Sequence, residues 1–265
     1  MDEDDWEEPP VDPVQEAVED ALRELFAAQA QEVFYGRQLV VRFEAQYFHW
    51  ITNRALRHLA AVGEIRTETK ELWPNVPVKF YFSTTCRYWR RRSDAMVELI
   101  RRYSVEGFGR ALGRHGEMLF DAALGGRGFR VLGKNVDEFE GEKWEGSGEN
   151  LDRVYERDGL RYGSEIKNTL DYIPHEELQN KLQACEALGL TPLFIMRMAP
   201  KTYMHEINTA GGYGLLFGQQ MYPFGQDALV EDVRTGLGLP VVCPAAIPDG
   251  IIHKFEAWHQ KRLAV

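Results

Sequence analysis

The chain has 265 residues, 44% of them hydrophobic and 27% charged, so it can bury an ordinary core in one large domain or two modest ones. No apolar run is long enough to cross a bilayer, and the N-terminus is acidic where a secretory signal is basic and then apolar, so we expect a cytoplasmic protein with no membrane partner. The 3 cysteines are widely separated and lack Cys-x-x-Cys spacing, which argues against a disulfide framework and a zinc site.

The formal net charge of −10 is concentrated near the N-terminus. Residues 1–20 contain ten acidic residues and no Lys or Arg, whereas the whole chain has 41 acidic and 31 basic residues, so the part beyond residue 20 is neutral. Residues 1–11 are acidic, contain prolines and show no apolar periodicity. We therefore expect them to form a disordered tail.

A helix is predicted directly after this tail. Asp12 suits the N-cap position, Pro13 the first helical position and Gln15 the reciprocal capping position. Apolar residues then recur at intervals of three and four up to Phe26. This spacing predicts an amphipathic helix that reaches about Ala30.

The next segments complete a small N-terminal domain. Apolar residues between 39 and 59 give a second helical pattern, which ends at Gly63. Residues 64–70 and 78–82 alternate or are rich in β-formers, and Pro74-Asn75 supplies a turn between them. Helices followed by such a two-stranded wing resemble a winged-helix domain, here over residues 12–92.

This resemblance implies a DNA-binding surface. In such domains the helix before the wing commonly enters the major groove, where it would present Thr52, Asn53, Arg54, Arg57 and His58. A basic and aromatic stretch, which could contact phosphates, includes Arg90, Arg91 and Arg92. Two alternatives stay open. The arginines could form a solvated helix face, or the domain could serve dimerisation or packing, for which Trp50 and its aromatic neighbours provide apolar surface.

The remaining residues, 93–265, predict an α/β domain with a mixed α+β sheet. Helices are predicted at 93–103, 107–124 and 174–188, and strands at 129–132, 151–157, 160–168 and 193–198. From residue 210 onward the chain is Gly-rich, and we expect irregular structure with an edge strand at 241–242 and a final helix at 250–264. Residues 211–214 are interpreted as a flexible connection.

A tight hairpin carries the most informative residues. Asp158-Gly159 suits a type I′ turn, because Asp and Gly tolerate the positive φ that this turn requires. The turn would place Asp152 directly opposite Glu165, and the alternation of a strand puts Lys167 on the same face as Glu165. Two facing carboxylates repel each other unless a cation lies between them. Oxygen ligands of this kind suit Mg²⁺ or Mn²⁺.

The spacing of Asp152, twelve residues and then Glu165-Ile166-Lys167 resembles the PD-(D/E)xK nuclease superfamily, although Leu151 stands where the name-giving proline would be. The resemblance implies a restriction-endonuclease-like core with helices on both faces of the sheet. It also implies an acidic residue on the preceding helix, for which Glu117 is well placed. A polar side chain on the following helix is implied as well, with Gln179 and Lys181 as candidates.

The function implied by the resemblance is that of a Mg²⁺-dependent DNA endonuclease of restriction, defence or repair type, for which Mn²⁺ can substitute. Asp152, Glu165 and the Ile166 carbonyl would hold the ion, and Lys167 would orient or help deprotonate the attacking water. Double-stranded DNA and a second copy of the chain are the expected partners. Two alternatives stay open: a solvated surface hairpin without chemistry, and a non-catalytic DNA-binding scaffold.

Overall fold

The computed structural model describes residues 13–264, which divide into two compact units. The first contains residues 13–103 and 232–239, and the second contains 104–231 and 240–264. Residues 93–103, which the sequence analysis assigned to the second domain, belong to the first unit. The expected acidic tail and the Asp12 cap lie outside the described residues. Within those residues, no helix is both long and apolar enough to cross a bilayer.

The first unit combines helices with a three-stranded antiparallel sheet of order β1-β3-β2. Its elements in chain order are α1 (Pro13–Ala28), β1 (Val33–Tyr35), α2 (Gly36–Phe43), α3 (His49–Ala61), β2 (Ile65–Trp73), β3 (Val76–Ser83) and α4 (Trp89–Tyr103). The turn predicted between the last two strands is present, and Asn75 adopts a φ of 63° there.

The core of this unit explains the helical periodicity of the sequence. On α1, Val18 and Leu22 are fully buried, and they belong to one hydrophobic cluster with Leu56 and Leu59 of α3. The predicted second helix is interrupted, because α2 ends at Phe43 and α3 begins at His49. Strand β1 was not predicted, since three residues are too few to show an alternation.

The second unit is a mixed α/β domain, as the sequence predicted at the level of fold class. Its elements in chain order are α5 (Phe108–Gly125), β4 (Arg130–Val136), β5 (Glu138–Phe139), β6 (Glu142–Lys143), β7 (Leu151–Arg157), β8 (Leu160–Lys167), α6 (His175–Ala187), β9 (Thr191–Met196), α7 (Lys201–Thr209), β10 (Tyr213–Leu216), β11 (Gln220–Met221), α8 (Asp227–Leu237), β12 (Val241–Val242) and α9 (Asp249–Leu263). From residue 232 onward, α8 is part of the first unit.

A five-stranded sheet of order β10-β9-β8-β7-β4 forms the centre of the second unit. Strands β4, β7 and β8 are antiparallel neighbours, whereas β8, β9 and β10 run parallel. Both faces are buried. Tyr155 and Tyr162 share a hydrophobic cluster with Phe120 of α5 and Phe255 of α9, and a second cluster joins the sheet to α6. Helices therefore cover the sheet on both faces.

The prediction of irregular structure beyond residue 210 is wrong, because β10, β11 and α8 lie there. The interpretation of residues 211–214 as a flexible connection is also wrong. A Cβ on Gly212 would lie 2.6 Å from the Pro192 carbonyl oxygen, and one on Gly214 would lie 2.5 Å from Met204 Cε. These glycines allow the backbone to pack closely against its neighbours and do not indicate mobility. Because glycine has no side chain, the alternation of apolar and polar residues that predicts a strand is absent here.

Candidate active site

The hairpin between β7 and β8 has the predicted turn and register. Asp158 and Gly159 have φ values of 53° and 78°, the two positive values that a type I′ turn requires. Cross-strand pairs run from Arg157 with Leu160 to Arg153 with Ser164. The next residues along each strand are Asp152 and Glu165, so the hairpin brings the two acidic residues to the same place.

Asp152 is held at the start of β7 by the opposite strand. Its Oδ2 accepts a hydrogen bond of 2.7 Å from the Ile166 main-chain N–H. Burial and, to a smaller extent, the nearby Glu165 carboxylate together raise the pKa of Asp152 to about 7, against the opposing effect of the Ile166 N–H. A negative charge on Asp152 is therefore costly in the metal-free protein.

Glu165 lies between two ammonium groups. Its side chain is 2% exposed, with Lys167 Nζ 2.8 Å from Oε1 and Lys181 Nζ 2.8 Å from Oε2. The buried Oε2 atom nevertheless has no hydrogen-bond partner, so its contact with Lys181 is a close ion pair without hydrogen-bond geometry. Oε2 therefore keeps the capacity to accept a ligand bond.

Lys167 bridges the sheet and α6. Its Nζ also lies 2.6 Å from Glu177 Oε1, on the first turn of that helix. Burial by itself lowers the pKa of Lys167, but the ion pairs with Glu165 and Glu177 outweigh that effect and raise the pKa above its ordinary value. Lys167 is therefore protonated at neutral pH.

The residues present fit a hard divalent cation. The donor set of two carboxylates and the Ile166 carbonyl consists of oxygen, and Glu165 Oε2 is a buried acceptor that lacks a hydrogen bond. After burial, repulsion by the Glu165 carboxylate is the largest cause of the raised pKa of Asp152, and a cation between the two groups would relieve it. No set of three or more His, Cys, Asp or Glu side chains within residues 13–264 is arranged to hold a metal ion. The proposed ligand set has only two such side chains.

Glu117 lies on α5 and belongs to a separate ion network. Its Oε2 accepts a hydrogen bond of 2.7 Å from Arg153, a buried residue that also contacts Asp121 at 3.1 Å. Asp121 in turn accepts a 2.7 Å hydrogen bond from the Tyr155 hydroxyl. Glu117 still contributes to the raised pKa of Asp152, so the network lies within electrostatic range of the site. Asp121 was not predicted from the sequence as a residue near the site, although it follows Glu117 by one helical turn.

Gln179 is not brought to the site. Its amide hydrogen-bonds Glu206 of α7, whereas Lys181 points to the sheet and contacts Glu165. Two residues separate them by about 200° around a helix, so only one of the two candidates can face the sheet. The sequence alone could not decide between Gln179 and Lys181, because the orientation of α6 depends on packing around its buried residues Leu178 and Cys185.

The expected DNA-contacting residues of α3 differ in exposure. Thr52 is fully buried and cannot reach a ligand, so this assignment is wrong. It lies on the core-facing side of α3, whereas Asn53 and Arg57 are exposed and Arg54 is half-buried. The Arg54 guanidinium lies 4.8 Å from the ring centre of Trp50, which is 52% exposed. Trp50 therefore shares a surface with the polar residues.

His58, the fifth expected contact, has a local partner. Its Nδ1 lies 2.9 Å from Glu19 Oε1 on α1, and Glu19 is a buried acidic residue. His58 is exposed, but this contact occupies one of its two ring nitrogens and competes with a ligand for it. The part of α3 that could make the expected DNA contacts is therefore smaller than the sequence predicted.

The basic stretch at the start of α4 is exposed. Arg92 lies 2.5 Å from Glu32, and Arg90 lies over the Trp89 ring at 4.6 Å. Neither Arg90 nor Arg91 has an acidic partner in the part of the chain that the structure describes. These two residues are available to an anionic ligand, whereas the charge of Arg92 is already compensated.

No family model matches the chain, and the searches of curated proteins and of solved structures found no match either.

Proposed function

We propose that this chain is a Mg²⁺-dependent DNA endonuclease of the PD-(D/E)xK superfamily that hydrolyses phosphodiester bonds. The observation that carries the proposal is the hairpin that places Asp152 against the Glu165-Ile166 backbone while Lys167 contacts Glu165. The order of elements supports it as well. A helix is followed by an antiparallel meander of β4, β7 and β8, then by a covering helix and a parallel strand.

Asp152, Glu165 and the Ile166 carbonyl would hold the ion, which polarises a phosphate and lowers the pKa of a bound water. Lys167 contributes a positive charge beside the site, and its raised pKa suits a charge-compensating group better than a general base. Glu117 would contact the ion through a bound water molecule. The hydrogen bond from Arg153 holds the Glu117 carboxylate in position.

The first unit would bind the DNA. The order α1, β1, α2, α3, β2, β3 and the sheet order β1-β3-β2 support a winged-helix assignment. Asn53, Arg54 and Arg57 on α3 are the proposed base and phosphate contacts, and Arg90 and Arg91 are proposed phosphate contacts. We further propose that two copies act together on double-stranded DNA, because residues 13–264 of each chain supply one such site.

A cleavage assay tests the proposal. The full chain is incubated with supercoiled plasmid, linear DNA and RNA, with Mg²⁺ or with a chelator. We expect Mg²⁺-dependent nicking or linearisation of DNA that Lys167→Ala abolishes, while the exposed Lys254→Ala leaves it unchanged. Equal cleavage by the Lys167→Ala protein would contradict the proposed site.

The rival function is a non-catalytic DNA-binding scaffold, and one observation favours it. Both Glu165 oxygens already lie 2.8 Å from ammonium groups, so Glu165 does not need a metal for charge compensation. A scaffold would show no Mn²⁺ binding that depends on Asp152 and Glu165. Calorimetric titration of the wild type and of Asp152→Asn therefore separates the two functions.

A further inference from the structure

Lys181 is a buried cation inside the candidate active site. It lies on α6 and its side chain is only 6% exposed, although a buried lysine is stable only with oxygen partners around its ammonium group. Two such partners are present. Nζ lies 2.8 Å from Glu165 Oε2 and donates a hydrogen bond to the Asn150 main-chain carbonyl.

The environment of this ammonium group resembles that of a bound hard cation. A carboxylate oxygen and a main-chain carbonyl oxygen are the ligand types that Mg²⁺ and Mn²⁺ use. The carboxylate is that of Glu165, one of the proposed metal ligands, and the carbonyl belongs to the segment that leads into Asp152. The contact on Oε2 lacks hydrogen-bond geometry, so it depends on charge more than on a directed bond.

Lys167 is anchored differently. It contacts the other oxygen of Glu165 and has a second carboxylate, Glu177, at 2.6 Å. Lys167 can therefore stay in place when a ligand reaches Oε2. Among the described residues, Glu165 is the only acidic group within ion-pair distance of Lys181, although Asp152 lies within electrostatic range. The four-carbon side chain of Lys181 is flexible.

We propose that Lys181 occupies the cation position at Glu165 in the metal-free protein, so that a divalent ion binds only when the Lys181 ammonium group moves away. This inference rests on the proposed metal-dependent function. Two cations on one buried carboxylate oxygen repel each other strongly where water is excluded. Lys181 therefore weakens metal binding, and the displaced ammonium group becomes available to a phosphate of the substrate.

The test measures Mn²⁺ binding by the full chain without DNA, using titration calorimetry at neutral pH. Four proteins are compared: wild type, Lys181→Met, Lys181→Gln and Lys254→Met. The Met variant removes the charge and keeps the length of the side chain. The Gln variant retains a donor for the Asn150 carbonyl in case the Met variant does not fold. Lys254 is exposed on α9 and provides the same change of net charge away from the site.

We expect the Mn²⁺ dissociation constant to fall about tenfold or more in both Lys181 variants and to stay at the wild-type value in Lys254→Met. Equal or weaker binding by the Lys181 variants would overturn the inference and leave the proposed metal site standing. If none of the four proteins binds Mn²⁺, the proposed metal-dependent function fails, and the inference fails with it.

Discussion

The carboxylate of Asp152 accepts a hydrogen bond from the main-chain N–H of Ile166, the residue between Glu165 and Lys167. This bond ties the start of β7 to the end of β8 beyond the last regular cross-strand pair, Arg153 with Ser164. It fixes where one carboxylate lies relative to the other. The site is therefore part of the sheet and does not depend on a mobile loop.

Replacing Asp152 with Asn should stabilise the metal-free protein above pH 7. The pKa of Asp152 is about 7 in the folded protein and near 3.8 when unfolded, so the wild type loses stability as pH rises between these values. The shift corresponds to roughly 4 kcal/mol at most. Thermal denaturation with a chelator should show an advantage for Asp152→Asn that is larger at pH 8 than at pH 5. An advantage that stays constant or shrinks would contradict the raised pKa.

Removing Asp121 should destabilise the second unit. Arg153 is 5% exposed and lies between Asp121 and Glu117, and the Tyr155 hydroxyl also donates to Asp121. Asp121→Ala leaves the hydroxyl without its acceptor and the guanidinium with one carboxylate, so we expect a loss of about 2–4 kcal/mol in the free energy of unfolding. Denaturant titration measures it, and the exposed Glu186→Ala serves as the control. A loss below about 1 kcal/mol would mean that the network contributes little.

Gly116 is a sensitive point on α5. A Cβ there would lie 2.8 Å from the Cβ of Asn168, the residue that follows Lys167, so Gly116→Ala should displace the end of β8. We expect it to slow Mg²⁺-dependent cleavage and to reduce stability by about 1–3 kcal/mol. Gly113 on the same helix has open space around it, and Gly113→Ala should stabilise the protein by up to about 1 kcal/mol. Identical effects of the two changes would argue against the close contact.

DNA binding should depend on the exposed face of α3 and the start of α4. Arg57→Ala and the double change Arg90→Ala with Arg91→Ala should each weaken binding, and the double change should also reduce the dependence of affinity on salt. Fluorescence anisotropy at several salt concentrations measures both effects. Thr52→Val is the control, because Thr52 is buried and its hydroxyl has no hydrogen-bond partner. Loss of binding in Thr52→Val alone would place the contact surface elsewhere.

The hairpin shows what local sequence can determine. Asp158-Gly159 fixes the turn, the turn fixes the register, and the register brings Asp152 to Glu165 without reference to the rest of the chain. Amphipathic α1 was predicted for the same reason, since a repeated apolar spacing leaves one helical face to bury.

Other features depend on tertiary packing and could not be derived in this way. The choice between Gln179 and Lys181 depends on how α6 is rotated against the sheet. The burial of His259, whose Nδ1 lies 2.6 Å from the Tyr162 hydroxyl, depends on how α9 packs against the β7–β8 hairpin. Strand β10 was not predicted, because Gly212 and Gly214 carry no side chain that would show an alternation. Glycine is needed at both positions for close contact with residues that are distant in sequence.

The central claim is that Asp152 and Glu165 share one divalent cation, and crystals grown with Mn²⁺ test it most directly. An anomalous difference map collected near the manganese absorption edge should show one strong peak within coordination distance of both carboxylates and of the Ile166 carbonyl. The absence of a peak there at saturating Mn²⁺, with both side chains ordered, would contradict the account.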